Sequence, residues 1–406
     1  MTLKKLDSYL AQVDLPVDLN CLPRDAYLVG GSVRDALLKR YKNHIDLDFV
    51  LPQNAIATAK EIAHRYGGGF VVLDEVRGIA RVVFPQGTLD LALQEGDSLE
   101  KDLHRRDFTI NAIAYNLKDQ KIVDPFEGLA DLERGLLRTI SRENLQDDPL
   151  RLLRAYRQAA QLNFTIEPQT REFIRSLAPL LTQIAAERVQ TELSYILHNS
   201  SGNKWLKAAW KDGLITPWLP SIDGEKIQQL TAIEQAVVQI DSQNIKLKEE
   251  WLYLAKLSAL VASEPAKAER ELNNLKYSRS QIRAVVATVK HLSQLQTITE
   301  TMSLREQYFF FLDIKDVFPV LMIRAIATGV NSTVINPLIK RYFSPQDKIA
   351  HPQPLVTGKD LIEELKIKPS PIVGNLLTEI QIAYIEDKIS NFQEAIEFAV
   401  SLLENK

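Results

Sequence analysis

Short apolar runs alternate with glycine-containing breaks over about the first 145 residues. "YLVGG" predicts a strand that enters a turn, "SVRDALLKR" a short helix, and "HIDLDFVLP" a second strand. "NAIATAKEIAHRYGGG" predicts a helix capped by its last glycines, because glycine readily adopts the left-handed conformation at a helix end. "FVVLDEVRGIARVVFPQGTLDLAL" predicts successive strands with turns near residues 75–77 and 86–87. This alternation predicts a small α/β or α+β domain.

The pattern changes at about Asp147, after which apolar residues recur at the spacing of helices. "DPLRLLRAYRQAAQL", "AERVQTELSYIL" and "KWLKAAWKDGLI" are examples. Three prolines in residues 343–356, "FSPQDKIAHPQPLV", predict a linker before a last helical unit. The sequence therefore predicts an α+β fold, in which a small mixed sheet is followed by all-α regions.

The composition is that of an ordinary globular protein. The chain has 406 residues, of which 45% are hydrophobic and 25% charged, enough for two or more domains. No apolar run reaches the length of a membrane span, and the N-terminal stretch lacks the apolar core of a signal peptide. The single cysteine, Cys21, excludes an internal disulfide framework and a cysteine-based zinc cluster. We expect it to be a buried small residue in a reducing cytosol, which makes the protein cytoplasmic with no membrane partner.

The net charge of −3 does not suggest general coating of nucleic acid. Basic residues nevertheless outnumber acidic ones between Arg151 and Lys211. Such an excess is more often a solvated helix face than a binding surface. It can also be the beginning of an RNA-binding track, and the charge pattern alone leaves both interpretations open.

Acidic residues alternate with apolar ones in two of the predicted strands. In "HIDLDFV" the two-residue period of a strand places Asp46 and Asp48 on one face. Neighbouring carboxylates repel each other unless a cation neutralises them, so a divalent metal is their natural partner. Asp90 in "TLDLAL" is a third candidate, and two Mg²⁺ ions on three such carboxylates would promote an in-line phosphoryl displacement. The alternative is a strand edge that simply faces solvent.

The glycine pair upstream strengthens the metal interpretation. Gly30 and Gly31 allow the backbone to approach an anion closely, and Ser32 adds a hydroxyl at the predicted helix start. Arg34 can add a cation to the same phosphates, while Asp35 can fix the arginine or the turn. The glycine turn and the acidic strand together predict a site that holds a triphosphate beside metal ions.

These segments make the chain recognisable. "LVGGSVRD…DLDFV" resembles the signature of class II tRNA nucleotidyltransferases, the bacterial CCA-adding enzymes and their poly(A) polymerase relatives. "RRDFTINAIAYN", "DPFEGLADLERG", "DDPLRLLRAYR" and "AAERVQTEL" resemble further family motifs and follow in the family's order. The motifs cover about half of the chain, and residues 215–345 are poorly marked.

The resemblance implies a catalytic head at residues 1–145, a neck at 146–215, a tRNA-binding body at 216–345 and a tail at 346–406. It implies template-independent addition of nucleotides to tRNA 3′ ends from CTP and ATP, with two Mg²⁺ ions as cofactors. Matched residue by residue, it implies that Asp46 and Asp48 hold the metals and that the nucleotide is bound by Gly31, Arg34, Arg106, Asp148, Arg151, Arg154 and Arg157. To these we add Asp90 as the third catalytic carboxylate and Gly30, Ser32 and Asn111 as further nucleotide-binding residues.

The base-reading motif has a chemical rationale. We expect Asp147 to cap its helix, with Pro149 in the first turn, and charged residues then recur every three positions from Asp148. Cytosine and adenine both present an amino donor beside a ring-nitrogen acceptor, which Asp148 and Arg151 can match, whereas uracil and guanine present the reverse order. The alternative is a structural ladder of i,i+3 salt bridges along this helix.

The segment between Asp90 and Arg106 bears on which family member this is. Full CCA-adding members carry a longer flexible loop there, often with an arginine, whereas this chain has only "LALQEGDSLEKDLHR". The short segment resembles members that add CC and leave the terminal A to a separate A-adding enzyme. We therefore favour CC addition, with CCA addition, A addition, poly(A) synthesis and an inactive RNA-binding protein as alternatives. In the last motif, Arg188 and Glu192 are expected to form a salt bridge.

Overall fold

The computed structural model describes residues 6, 8, 10, 16–40, 45–242 and 244–404. Most of the N-terminal stretch tested for a signal peptide, and His44 at the predicted start of the second strand, lie outside the described residues. The chain divides into two compact units, Met1–Leu214 and Ile215–Lys406. The finer division into head, neck, body and tail stays a prediction.

The first unit contains a seven-stranded mixed sheet in the order β3-β4-β5-β2-β1-β6-β7. Strands β2 and β5 are parallel, and the other neighbouring pairs are antiparallel. The connections of β3 to β4 and of β4 to β5 fall at the two predicted turns, and the predicted mixed sheet is confirmed. The strands are β1 (Tyr27–Val29), β2 (Ile45–Leu51), β3 (Gly69–Asp74), β4 (Ile79–Phe84), β5 (Gly87–Leu93), β6 (Ala114–Asn116) and β7 (Lys121–Val123).

Strand β2 lies at the centre of the sheet, between β1 and β5. Acidic and apolar residues alternate along β2 as predicted: Leu47 and Phe49 are buried on one face, and Asp46 and Asp48 lie on the other. In the parallel register Asp48 stands opposite Asp90 of β5, and in the antiparallel register it stands opposite Val29 of β1. The sheet therefore places the carboxylates side by side, directly below the turn that follows β1.

Two helices pack against the sheet, and further helices follow in the first unit. They are α1 (Gly31–Leu37), α2 (Ala55–Tyr66), α3 (Leu99–His104), α4 (Gly128–Arg134), α5 (Arg142–Asp147), α6 (Leu150–Leu162), α7 (Pro168–Leu177), α8 (Ala186–His198) and α9 (Gly202–Lys211). Helix α6 packs against both α8 and α9. Strands β8 (Leu136–Leu137) and β9 (Thr165–Ile166) form a separate parallel pair. The glycine cap after α2 is confirmed, because Gly67 has a φ of 70°.

The start of α6 differs from the prediction. Asp147 is the last residue of α5 and does not cap α6. The carboxylate of Asp148 instead accepts the N–H of Leu150 at 3.3 Å. The reason is that the chain forms two helices here, and Pro149 directly precedes the second one.

The described residues of the second unit form helices and connecting segments only. The helices are α10 (Gly224–Asp241), α11 (Glu249–Leu260), α12 (Pro265–Asn274), α13 (Arg279–Thr297), α14 (Leu304–Ile314), α15 (Phe318–Ala327), α16 (Ser332–Tyr342), α17 (Gly358–Leu365), α18 (Pro371–Ile385) and α19 (Phe392–Glu404). Residues 343–356 are irregular, as their prolines predict. Buried apolar residues such as Leu361, Leu376 and Ile380 form a core among the last three helices.

Two expectations from composition can be compared with the structure. Cys21 is only partly buried, so its prediction as a buried residue is wrong; it lies in a short turn near the surface rather than in a packed element. Partial burial still raises the pKa of its thiol. Among the described residues, no helix is both long and apolar enough to cross a membrane.

Candidate functional site

Three carboxylates meet on one face of the sheet. Asp46 and Asp48 lie two residues apart on β2, and Asp90 on β5 stands beside Asp48. Arg81 on β4 donates two hydrogen bonds to Asp90, from Nε to Oδ1 at 2.7 Å and from Nη2 to Oδ2 at 2.8 Å. The Thr88 hydroxyl donates to Asp46 Oδ1 at 2.9 Å. The acidic cluster is therefore ordered by neighbouring strands.

The electrostatics of the cluster suit a cation. Burial raises the pKa of Asp48 to about 6, repulsion by Asp90 and Asp46 adds to the rise, and Arg106 opposes it. A hard divalent cation prefers carboxylate oxygens and would relieve this crowding. Among the described residues no group of three side chains is placed to hold a metal ion. Asp90 is engaged by Arg81. The donor set therefore fits a metal held by Asp46 and Asp48.

Gly30 forms the closest approach between the glycine turn and the carboxylates. Its φ of 74° is a conformation that favours glycine. A Cβ atom built on it would lie 3.3 Å from Arg106 Nη1 and 3.6 Å from Asp48 Oδ2. Gly31 begins α1, and the Ser32 hydroxyl donates to the Asp46 carbonyl at 2.7 Å. The turn, an arginine and a carboxylate therefore meet at one point, and Ser32 fastens α1 to β2.

Arg34 is held in place from several directions. Its Nε donates to Asp35 Oδ1 at 2.9 Å, and its Nη1 donates to Asn111 Oδ1 at 2.8 Å. Nη1 also lies 3.3 Å from Gln158 Oε1 on α6. The sequence left open whether Asp35 fixes the arginine or the turn, and the structure shows it bonded to the arginine. Because its carboxylate and amide partners fix its orientation, Arg34 is preorganised as a cation.

Arg106 combines a fixed anchor with an unused donor. Its Nη2 donates to Asp102 Oδ2 at 3.1 Å, whereas its buried Nε has no partner among the described residues. Asp102 is fully buried. Its burial would raise its pKa, but Arg106 and Arg105 hold that pKa below its usual value. Arg106 therefore presents an anchored positive charge near Asp48.

The predicted base-reading residues lie at the start of α6. The Arg151 side chain donates from Nη1 to the carbonyl oxygens of Arg105, at 2.8 Å, and Asn144, at 3.0 Å. Asp148 receives a hydrogen bond of 3.1 Å from Arg188 Nη2 on α8. In the described part of the chain no ion pair joins Asp148 to Arg151, so the two are oriented by other elements and not by each other.

Arg154 and Arg157 connect α6 to α8. Arg157 Nε bonds to the Glu192 carboxylate, and Arg154 Nε lies 3.6 Å from the same group. The predicted salt bridge between Arg188 and Glu192 is wrong, because buried Glu192 faces α6 while Arg188 pairs with Asp148. The described charges thus form ion pairs between helices instead of an i,i+3 ladder along α6.

A buried carboxylate links the two clusters. Asp107 accepts from Asn111 Nδ2 at 2.8 Å, and Arg154 Nη1 lies 3.5 Å from its other oxygen. Asn111 in turn accepts from Arg34. Burial would raise the pKa of Asp107, but Arg154 and the hydrogen bond from Asn111 keep it low. One polar network therefore runs from the glycine turn to α6.

Sequence reasoning missed four residues of this network: Arg81, Asp102, Asp107 and Gln158. A tight turn between β4 and β5 fixes the hairpin register, and counting from it places Arg81 opposite Asp90. Gln158 lies one helical turn after Arg154, so the stripe along α6 continues to it. Asp102 and Asp107 carry no comparable signal in the sequence, because only the fold shows that they are buried.

Known families match most of the chain. Residues 26–138 match the sequence model of the poly(A) polymerase head domain. Residues 163–225 match the probable RNA- and SrmB-binding site of polymerase A, and residues 245–400 match tRNA nucleotidyltransferase domain 2. The carboxylates and the glycine turn lie within the first of these matches.

Individual tRNA nucleotidyltransferases are similar to this chain over nearly its whole length. A CC-adding tRNA nucleotidyltransferase of Synechocystis sp. is 48% identical over 97% of this chain and 98% of its own length. An A-adding tRNA nucleotidyltransferase of Deinococcus radiodurans is 30% identical over 93% of this chain and 95% of its own. The Thermotoga maritima CCA-adding enzyme complexed with tRNA shares the fold, with a TM-score of 0.72, 22% identity and 98% of each chain covered. The chain belongs to the class II tRNA nucleotidyltransferase family, which confirms the resemblance.

Proposed function

We propose that this chain transfers cytidine from CTP to the 3′ end of tRNA, forms CC and releases pyrophosphate. The Synechocystis protein that is 48% identical carries the name CC-adding tRNA nucleotidyltransferase. Identity to the A-adding protein is lower, at 30%. This ranking favours CC addition over A addition.

The connection after Asp90 supports the same specificity. Only residues 94–98 join β5 to α3. The Glu95 N–H donates to Asp102 Oδ1 at 3.2 Å, and its carboxylate lies 3.0 Å from Arg105 Nε. The longer flexible loop that the resemblance implies for full CCA-adding members is therefore replaced by a short connection fastened at Glu95.

The observation that carries the proposal is the meeting of Gly30, Arg106 and Asp48 within a few ångströms. Gly30 and Gly31 let the backbone approach the triphosphate, and the Arg106 guanidinium, whose Nη1 lies beside Gly30, adds a positive charge. Arg34, oriented by Asn111, adds a second cation for the same phosphates. The reactive phosphate would thus lie beside the carboxylates.

The metal requirement follows from the carboxylates. Asp46 and Asp48 would hold Mg²⁺, and we propose two ions. When bound, such ions polarise the phosphate and stabilise the charge that develops on the attacking and leaving oxygens. Asp90 is the third carboxylate of the set, and its double hydrogen bond to Arg81 fixes its orientation beside Asp48.

Base selection is assigned to the beginning of α6. The Asp148 carboxylate would accept from the amino group of cytosine, and the Arg151 guanidinium would donate to the ring nitrogen. Arg188 is hydrogen-bonded to Asp148, and two backbone carbonyls accept hydrogen bonds from Arg151. Both side chains are therefore already oriented, and little reorganisation is needed when the base binds. Arg154 and Arg157, which tie α6 to α8 through Glu192, would complete the nucleotide site.

The tRNA is proposed to bind along basic helices of the neck and body, mainly through its backbone phosphates, so binding would weaken with salt. We also propose a cytoplasmic location and a separate A-adding enzyme that completes the 3′ end.

A primer-extension assay tests the function. Purified protein is incubated with tRNA that lacks CCA, supplied with CTP, ATP or both, and the products are resolved to single nucleotides. We expect addition of CC with CTP and no further extension when ATP is present. Addition of CCA would contradict the CC specificity, and a long A ladder or no extension would overturn the function.

A further inference from the structure

A cavity of about 180 Å³ lies among helices α10, α11, α13 and α15 of the second unit. It could hold several water molecules or a small polyatomic ion, because one water needs only roughly 10–15 Å³ measured this way. Two cations and several neutral polar groups line it, and none of its described lining residues is acidic. The principal polar residues are Lys226, Gln229, Ser258, Ser293, Gln296 and Arg324.

Arg324 is the unusual residue of this cavity. Its side chain is only 5% exposed, and its Nη2 donates to Gln229 Oε1 at 2.8 Å. Its Nε and Nη1 are buried without a hydrogen-bond partner in the part of the chain that the structure describes. Burial alone lowers the pKa of Arg324 to about 10, so the guanidinium remains charged at neutral pH. A buried cation with unused donors requires a counter-charge or solvent.

Lys226 adds a second positive charge to the wall. Its Nζ donates to the carbonyl oxygens of Ser221, at 2.8 Å, and Val261, at 2.6 Å. An ammonium group has three N–H donors, so one remains. The nearby Glu271 is engaged elsewhere, because its two oxygens accept the backbone N–H groups of Ser221 and Ala262. Asp223, the other acid that acts on Lys226, accepts the backbone N–H of Lys226 at 2.8 Å. The two cations therefore share a cavity near which both acids already accept backbone N–H groups.

We propose that this cavity binds an oxyanion of the phosphate class, held by the Arg324 guanidinium and the Lys226 ammonium. Arginine is well suited to this, since it is weakly hydrated and always charged, and hydrogen bonds between charged groups are the strong ones. The hydroxyl and amide groups of Ser293 and Gln296 at the exposed rim match the remaining oxygens.

The phosphate could belong to a free anion or to RNA, and the depth of Arg324 favours a free one. A phosphodiester inside a continuous strand must bring its flanking sugars along, whereas inorganic phosphate can enter alone. The chemistry of recognition is the same in both cases, so the experiments below separate the sources.

The first test is thermal unfolding of the full-length protein in phosphate and in chloride at equal ionic strength. Arg324→Met is compared with the wild type and with Arg305→Met, which removes an exposed arginine paired with Glu379 in the same unit. Phosphate should raise the melting temperature of the wild type and Arg305→Met more than that of Arg324→Met. Any phosphate binding in the first unit affects all three equally. Equal shifts in all three proteins would overturn the proposal.

The second test needs no variant, so it remains decisive if Arg324→Met fails to fold. Crystals of the full-length protein are soaked in sodium tungstate, a phosphate analogue with an anomalous signal. We expect an anomalous peak within hydrogen-bonding distance of Arg324 and Lys226. Ordered water alone at that position would overturn the proposal.

The source of the phosphate is decided by titration with tRNA lacking CCA. If the RNA supplies it, Arg324→Met weakens tRNA binding and reduces the slope of log affinity against log salt by about 1. If a free anion supplies it, tRNA binding is the same in the variant and the wild type while inorganic phosphate still binds the wild type. Either result supports the site, and failure of both ligands to bind there refutes it.

Discussion

Partly or fully buried arginines have different hydrogen-bond partners in the two units. In the first unit Arg34, Arg106 and Arg151 each donate to a carboxylate or to backbone carbonyls. In the second unit the one partner of the Arg324 side chain among the described residues is a neutral amide. An arginine whose charge is balanced by carboxylates or backbone carbonyls is fixed by the fold and can orient a substrate. An arginine whose charge is not balanced requires a ligand or water beside it. Arg106 shares features of both, since it has an anchor and one unused donor.

The largest effect is expected at the carboxylates that would hold the metal. Asp48→Asn should reduce cytidine transfer by at least about 10³-fold, because it removes the charge that binds the cations. Nucleotide binding should survive in part, since the glycine turn and Arg34 are unchanged. Single-turnover extension of tRNA and CTP binding by calorimetry measure the two quantities.

A matched control for this variant is Asp119→Asn, which alters an exposed carboxylate paired with Arg24 in the same unit. Its transfer rate should stay within about twofold of the wild type, because exposed ion pairs contribute little. Near-normal transfer by Asp48→Asn would show that the metal assignment is wrong.

The next largest effect is expected from the close approach of Gly30 to Arg106 and Asp48. Gly30→Ala and Gly67→Ala both place a side chain at a φ near 70°, which should cost about 1–2 kcal/mol of stability in each. Only at Gly30 does the new Cβ approach Arg106 and Asp48, whereas nothing lies within 4 Å of it at Gly67. Gly30→Ala should therefore lose about 10- to 100-fold in kcat/KM, and Gly67→Ala should lose almost none. Equal losses in the steady-state kinetics would reject a role for this close approach.

Much of this site could be predicted from local sequence, and the rest could not. The period of β2 determines that Asp46 and Asp48 share a face, and the turn between β4 and β5 fixes the strand register at Asp90. The partners of the arginines are non-local: Glu192 bonds to Arg157 from a different helix, not to Arg188 one turn away. Spacing along one helix cannot reveal such pairs, because tertiary packing decides which side chain a buried carboxylate faces.

The network between the clusters provides a test through stability. Gln158→Leu removes an acceptor from Arg34 and Asn111, which leaves buried donors unsatisfied. The free energy of unfolding of the first unit should fall by roughly 1–3 kcal/mol. Gln161→Leu, in the last turn of the same helix and bonded to Arg157, should have a smaller effect. Urea denaturation followed by fluorescence measures both, and a reversed order would contradict the network.

The smallest effect is expected at the residue that orients Asp148. Arg188→Gln removes the half-exposed ion-pair partner of Asp148, so the free energy of unfolding should change by less than about 1 kcal/mol. Selection of CTP over UTP should fall only a few-fold, because Asp148 itself remains. A change in stability without any change in selection would show that Arg188 merely braces α8 against α6.

The most direct test of the account concerns base selection by Asp148. Asp148→Asn replaces the carboxylate acceptor with an amide whose NH2 group can donate to the carbonyl oxygen that uracil has in place of the amino group of cytosine. The preference for CTP over UTP should therefore fall by roughly 10- to 100-fold. Asp147→Asn changes the neighbouring exposed carboxylate in the same way and should keep the wild-type preference. The measurement is kcat/KM for each nucleotide on tRNA lacking CCA. An unchanged preference in Asp148→Asn would contradict the claim that α6 reads the base beside the carboxylates of β2.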